Sequence, residues 1–102
     1  MRFLFKISLP VEAGNKAAKK DSFKVIETIL AEQRPEAAYF FAENGCRTAL
    51  LVINMGDASQ IPAIAEPWFL AFNAAIDVVP VMVPQDLQLA GPSIAEAVKT
   101  YG

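Results

Sequence analysis

The chain has 102 residues and a mass of 11.1 kDa, which allows one domain over residues 1–102 and leaves no room for a second core. Its 54% hydrophobic and 20% charged residues, against about 45–50% and about 25% in ordinary domains, exclude disordered and fibrous classes, and no apolar run nears the roughly 18 residues that cross a bilayer. The formal net charge is −2, with eight of the nine basic residues before position 48 and five acids but no base from Thr48 to Val98; half of the chain repels phosphate, and no nucleic-acid partner is expected.

Residues 2–9 alternate, Phe3, Phe5, Ile7 and Leu9 on one side and Arg2, Leu4, Lys6 and Ser8 on the other, which is the period of a strand. Lys6 divides this stretch, which is too short for a secretory leader, so a cytoplasmic location is expected. Pro10 ends the strand, and Gly14 with Asn15 turns the chain into a helix whose alternative N-caps are Asn15, Asp21 and Ser22. The helix body carries Phe23, Ile26, Ile29 and Leu30 inward and Lys24, Glu27 and Glu32 outward, and Arg34-Pro35 closes it. Lys16, Lys19, Lys20 and Lys24, interrupted by Asp21, read as a solvated face.

Two apolar segments then flank Asn44-Gly45, a pair suited to a type I′ turn because both central positions need positive φ. Strands over 36–43 and 46–54 are predicted, pairing Glu43 with Cys46, Phe41 with Thr48 and Tyr39 with Leu50. Ala38, Phe40, Ala42, Ala49, Leu51 and Ile53 share the more apolar face, expected under the helices. The opposite face mixes Tyr39, Glu43, Cys46, Thr48 and Asn54 with Phe41, Leu50 and Val52 and requires some other cover.

A second helical segment is predicted from Ser59 to Ala74, capped by Asp57 or Ser59, with Pro62 tolerated in its first turn. Pro67 lies deeper and predicts a kink or two short helices meeting at Glu66-Pro67. Residues 75–83 read as the last strand, and Pro80 assigns it to a sheet edge. After Pro84 come a helical turn ending near Gly91 and a terminal helix with a Ser93/Glu96 capping box and an Ile94, Val98, Tyr101 stripe. That helix is too short to persist unaided and must dock on the body or on a partner.

The order β-α-β-β-α-β with a C-terminal helical tail is the α+β, ferredoxin-like arrangement, whose four-stranded antiparallel sheet runs 4-1-3-2. The segments ENGCRTALLVINMGD and EPWFLAFNAAIDVVPVMVPQDL, within an element order covering nearly the whole chain, resemble the dimeric α+β barrel superfamily, especially its small bacterial members of uncharacterised function. The resemblance implies two sheets facing each other in a homodimer, with pockets between sheet and helices. Relatives include cofactor-independent monooxygenases, lactone isomerases and polyketide cyclases, and also haem binders whose histidine is missing here.

Chemistry is sparse. With no histidine and one cysteine, internal disulfides, the usual zinc sets and Ser-His-Asp or Cys-His catalysis are excluded, and no cofactor, metal or phosphate loop is expected. Glu66, in apolar surroundings beside Pro67-Trp68-Phe69, is a candidate general base or else a solvated turn residue. Glu43 is a second candidate base, and Tyr39 and Asn54 are candidates to polarise a carbonyl or to hydrogen-bond across an interface. Trp68, Phe69 and Phe72 read as core aromatics or stacking groups for a ligand, alongside Tyr39, Phe41 and Asn54. Arg47 reads as a partner for surface carboxylates or as a clamp for a ligand carboxylate. Cys46 has only Arg47 beside it to activate a thiolate.

Three functional readings follow: a homodimer binding a small apolar or aromatic ligand between sheet and helices, a cofactor-free isomerase, cyclase or monooxygenase using a carboxylate base, and an interaction module without a ligand. The homodimer is expected because helices cover only one sheet face, and the other carries Tyr39, Phe41, Leu50 and Val52, each worth about 1.5–3 kcal/mol when buried. Light scattering at micromolar concentration should give about 22 kDa, twice the chain mass; a stable species near 11 kDa overturns this expectation.

Overall fold

The alternation of residues 2–8 places β1 (Arg2–Ser8) at the heart of the fold: in the computed structural model, which describes residues 1–20 and 23–102, Phe5 and Ile7 are fully buried. β1 pairs antiparallel with β3 (Cys46–Asn54) on one side and β4 (Ala75–Val81) on the other, and β2 (Ala37–Glu43) adds to the outer edge of β3. The resulting order β2-β3-β1-β4 is the ferredoxin-like 4-1-3-2 read from the opposite edge. Helices α1 (Val11–Lys19), α2 (Phe23–Gln33) and α3 (Ile61–Phe72) cover one face, and α4 (Pro84–Leu89) and α5 (Gly91–Tyr101) form the tail.

The hairpin follows its turn chemistry. Asn44 and Gly45 have φ of 52° and 76°, the positive values a type I′ turn demands. The register pairs Glu43 with Cys46, Phe41 with Thr48 and Tyr39 with Leu50, as counted from the turn. Pro80 lies on the edge strand β4, where no outer neighbour needs its missing N–H.

Elsewhere the fold corrects local expectation. α1 starts at Val11 rather than at Asn15, and Gly14 N donates to Pro10 O at 2.8 Å. The alternative caps Asp21 and Ser22 lie outside the described residues. Gly14 is buried inside α1, not in a turn; a Cβ there would stand 2.9 Å from Arg47 Nη1, so glycine lets the helix lie against that side chain. Phe23, expected inward, is 63% exposed, whereas Ile26, Ile29 and Leu30 pack on the core. Ala49, Leu51 and Ile53 are buried as expected, but Ala38, Phe40 and Ala42 are exposed because the helix layer stops short of β2. The tail differs too: α5 begins at Gly91, directly after Ala90, so Ser93 lies within the helix and its capping box does not form.

The most instructive difference is at Pro67. α3 runs unbroken from Ile61 to Phe72, although a proline ring removes one donor and crowds the preceding turn. Gln33, at the end of α2, spans that turn: its Nε2 donates to Ile64 O at 2.9 Å, and its Oε1 accepts from Trp68 Nε1 at 3.1 Å. Ala65, Trp68 and Phe72 are buried on both sides of the proline and anchor the helix to the sheet. The segment starts from Asp57, whose Oδ1 accepts from Ser59 N at 2.8 Å, and stops at Asn73, held left-handed at φ 55°.

Gln33→Leu strands the Trp68 N–H in a buried site and should cost about 1–3 kcal/mol, read as a lower denaturation midpoint, with little loss when Trp68→Phe is already present; an unchanged midpoint overturns the clamp. Asp57 is held below its ordinary value of 3.8, first by the Ser59 backbone N–H and then by its hydroxyl. A depressed carboxyl stabilises the fold above its unfolded pKa and loses that contribution as pH falls through the folded value. Asp57→Ala should therefore flatten the decline in stability below about pH 4, and an acid limb parallel to that of the unaltered chain would contradict this.

Candidate functional site

Where the helix layer stops short of β2, a cavity of about 330 Å³ opens between helices and sheet. Strand parity supplies Leu9 and Ala49 from the sheet, the inward stripe of α2 supplies Ile26, and Trp68 comes from α3. Phe40 and Phe41 of β2, with Thr48 opposite Phe41, complete its outer side. Trp68 is 1% exposed, and its ring lies 5.8 Å from that of Phe72 at 33°, a tilted pair within the favourable range for aromatic contact. Phe72 lines an adjoining space of about 190 Å³ together with Gly14, Phe23 and again Leu9, Ile26 and Arg47.

Arg47 is the charged residue common to both spaces. Its Nη1 donates to Asn15 Oδ1 at 2.9 Å, a neutral partner on α1, and among the described residues it forms no salt bridge. The surface carboxylate partner expected for it is therefore replaced by an amide. Thr48, 3% exposed, satisfies its hydroxyl on Cys46 O at 3.1 Å, and no buried side-chain polar atom among the described residues lacks a hydrogen bond. The wall is apolar, with one guanidinium at its rim.

Of the residues singled out from sequence, Trp68, Phe41 and Phe72 come to this region. Phe69, on α3, is 39% exposed, and Tyr39 is 62% exposed on the sheet face away from the helices. Asn54 is on that far face, its Oδ1 accepting from the Met1 amino group at 2.8 Å. Glu43 pairs there with Lys6 at 2.6 Å, and Glu66 is exposed on α3. The four groups considered for carboxylate-base chemistry thus lie on opposite sides of one protomer's sheet and do not meet around one cavity. Leu9, Ile26, Phe40 and Ala49 were not singled out; their shared helix-facing parity was visible, but a cavity exists there only because the covering layer ends.

Arg2 and Glu36 form a separate pair, Nε to Oε2 at 2.8 Å, and this carboxylate raises the Arg2 pKa above its ordinary value. A further hollow, of about 310 Å³, is lined by Lys16, Lys20, Leu70 and Asn73 among others. Among the described residues no group of three or more His, Cys, Asp or Glu side chains is placed to hold a metal ion, and no helix is long and apolar enough to cross a membrane.

No protein-family model matches the chain, and no curated protein matches it. Among solved structures it is similar to a formyltetrahydrofolate deformylase from Pseudomonas putida KT2440, with TM-score 0.49 and 18% identity over 79% of this chain and 29% of that one. The chain thus spans less than a third of that protein's length. The strand order and antiparallel pairing themselves establish a ferredoxin-like α+β fold.

Proposed function

We propose that the chain is a homodimer of the dimeric α+β barrel kind that binds a small apolar or aromatic carboxylate beneath Trp68. The supporting observation is the cavity itself: about 330 Å³ with predominantly apolar walls and, at its rim, an arginine lacking a carboxylate partner among the described residues. That volume lies at the lower end of the 300–1,000 Å³ typical of small-molecule sites, the size of a one- or two-ring compound. The apolar walls supply most of the binding by excluding water, and the guanidinium supplies orientation, because its fork accepts a carboxylate through two parallel N–H···O bonds. Exchanging the Asn15 amide for an anion turns a bond from a charged donor to a neutral acceptor into a full ion pair, which can be bidentate. Trp68 and Phe41 line the space and supply aromatic contacts to a ring-containing body. The dimer reading rests on the sheet face that carries Tyr39, Leu50, Val52 and Val79, which the helices leave open.

Trp68 is the single tryptophan and reports directly on the cavity. Titration with 2-naphthoate should quench its emission saturably. Arg47→Gln should weaken this binding tenfold or more, the worth of one charge-assisted contact, while leaving binding of the uncharged 2-naphthamide within about twofold. Absence of saturable quenching across a panel of aromatic acids and amides overturns the ligand reading, and an equal response of acid and amide to Arg47→Gln overturns the role of the guanidinium.

A further inference from the structure

The tail is the feature that the sheet, the core and the cavity leave unexplained. α5 packs on α4 and buries none of its residues. Its stripe stands in solvent, Ile94 at 51%, Val98 at 61% and Tyr101 at 88% exposed, next to Leu87 and Leu89 of α4. The radius of gyration is 17.2 Å and the long axis 58 Å, against about 13 Å expected for the radius of a compact chain of this length. The chain exposes 7072 Å², about 1,400 Å² more than the roughly 5,700 Å² expected for a monomer of this mass.

Within the same chain a second surface is uncovered. β2 is an edge strand, unpaired on its outer side and exposed on both faces, with Tyr39 at 62%, Phe40 at 54% and Phe41 at 39%. Such an edge is a template for association unless something covers it. The tail leaves the sheet from β4, the opposite edge. Two sheets stacked face to face about a two-fold axis parallel to their strands put the β4 edge of each over the β2 edge of the other, and therefore bring each tail beside the partner's aromatic strand.

We propose that residues 84–101 form an arm that clasps a second copy of this chain, its Ile94, Val98 and Tyr101 stripe seated on the β2 edge at Tyr39 and Phe40, reciprocally across the two-fold axis. This rests on the homodimer reading and goes beyond it by assigning the tail and the edge strand as the two halves of one contact. Area supports a second copy as the occupant: burying the excess on both chains hides about 2,800 Å² in total, inside the 2,000–5,000 Å² range of obligate homodimers. Placed reciprocally about the two-fold axis, the arm and the edge of each copy meet the edge and the arm of the other, and the contact closes at two copies. The arm's own ion pair, Lys99 with Glu96 at 4.0 Å, leaves it without the strong net charge that would select a charged partner.

The double variant Ile94→Asp/Val98→Asp tests the arm, and because α5 buries nothing, neither change touches the core. Tyr39→Asp loads the receiving edge and the stacked sheet face together, and it lies outside the cavity lining. Light scattering should report about 22 kDa for the unaltered chain, with the dimer dissociation constant raised at least a hundredfold by either variant, while circular dichroism and quenching of Trp68 by 2-naphthoate are retained. A dimer unaffected by Ile94→Asp/Val98→Asp overturns the clasp and leaves the homodimer reading standing. An unaltered chain near 11 kDa overturns both, including the case in which the arm folds back on its own sheet.

Discussion

Everything on the helical side of the sheet depends on burying Trp68. The indole fills the space between α2, α3 and β3, and it does so with a donor that cannot be left unpaired in a dry interior. Gln33 resolves this by accepting from the indole while donating to Ile64 in the turn that Pro67 disturbs. One side chain thus satisfies the largest core residue, donates to Ile64 O next to the Ala63 carbonyl that Pro67 deprives of its helical donor, and ties α2 to α3. Without it the helix layer would have a reason to break at Glu66-Pro67, and the wall of the cavity would move with it.

The same layer explains why there is a cavity at all. α1 lies against β3, with Gly14 allowing close approach to Arg47, and α3 lies against β4. Three short helices laid this way cover three strands and leave β2 outside. Phe40 belongs by parity to the covered face and yet is more than half exposed. Apolar walls without a cover are what a ligand or a partner can exploit, since the surface is already shaped and the gain from removing water has not been taken.

On the far side the imbalance is larger. A sheet with one solvated face normally alternates apolar and polar residues, whereas here Leu4, Leu50, Val52 and Val79 share the open face with the Lys6–Glu43 pair. The tail repeats the pattern with an amphipathic helix whose Ile94, Val98 and Tyr101 stripe is exposed. Tyr39, Val79, Ile94 and Val98 are thereby left facing water in a single copy. In the proposed homodimer the open face, the bare edge strand and the arm belong to one contact, and the cavity beneath Trp68 lies next to that edge.

The elements themselves were legible because their signals are local. Period-two alternation gives β1, two positive-φ residues at Asn44-Gly45 give the hairpin and its register, and Asp57, Pro62 and Pro80 each mark a position that backbone chemistry dictates. Strand order followed from those elements, because few topologies accommodate them. What the sequence left open was everything decided between elements. Pro67 reads as a break until Gln33, 34 residues away in the chain, reaches across to hold the turn; Gly14 reads as a turn until Arg47 is found against it; Ser93 reads as a cap until α4 delivers Ala90 in helical geometry. Glu66 and Glu43 read alike as candidate bases, and only the fold sets one exposed on α3 and the other beside Lys6 on the far face; Phe40 reads as core until the helix layer is found to end beside it. Periodicity states which side of an element is apolar. Only packing decides whether anything lies on that side, because cover depends on the lengths and crossing of other elements rather than on the residues being covered.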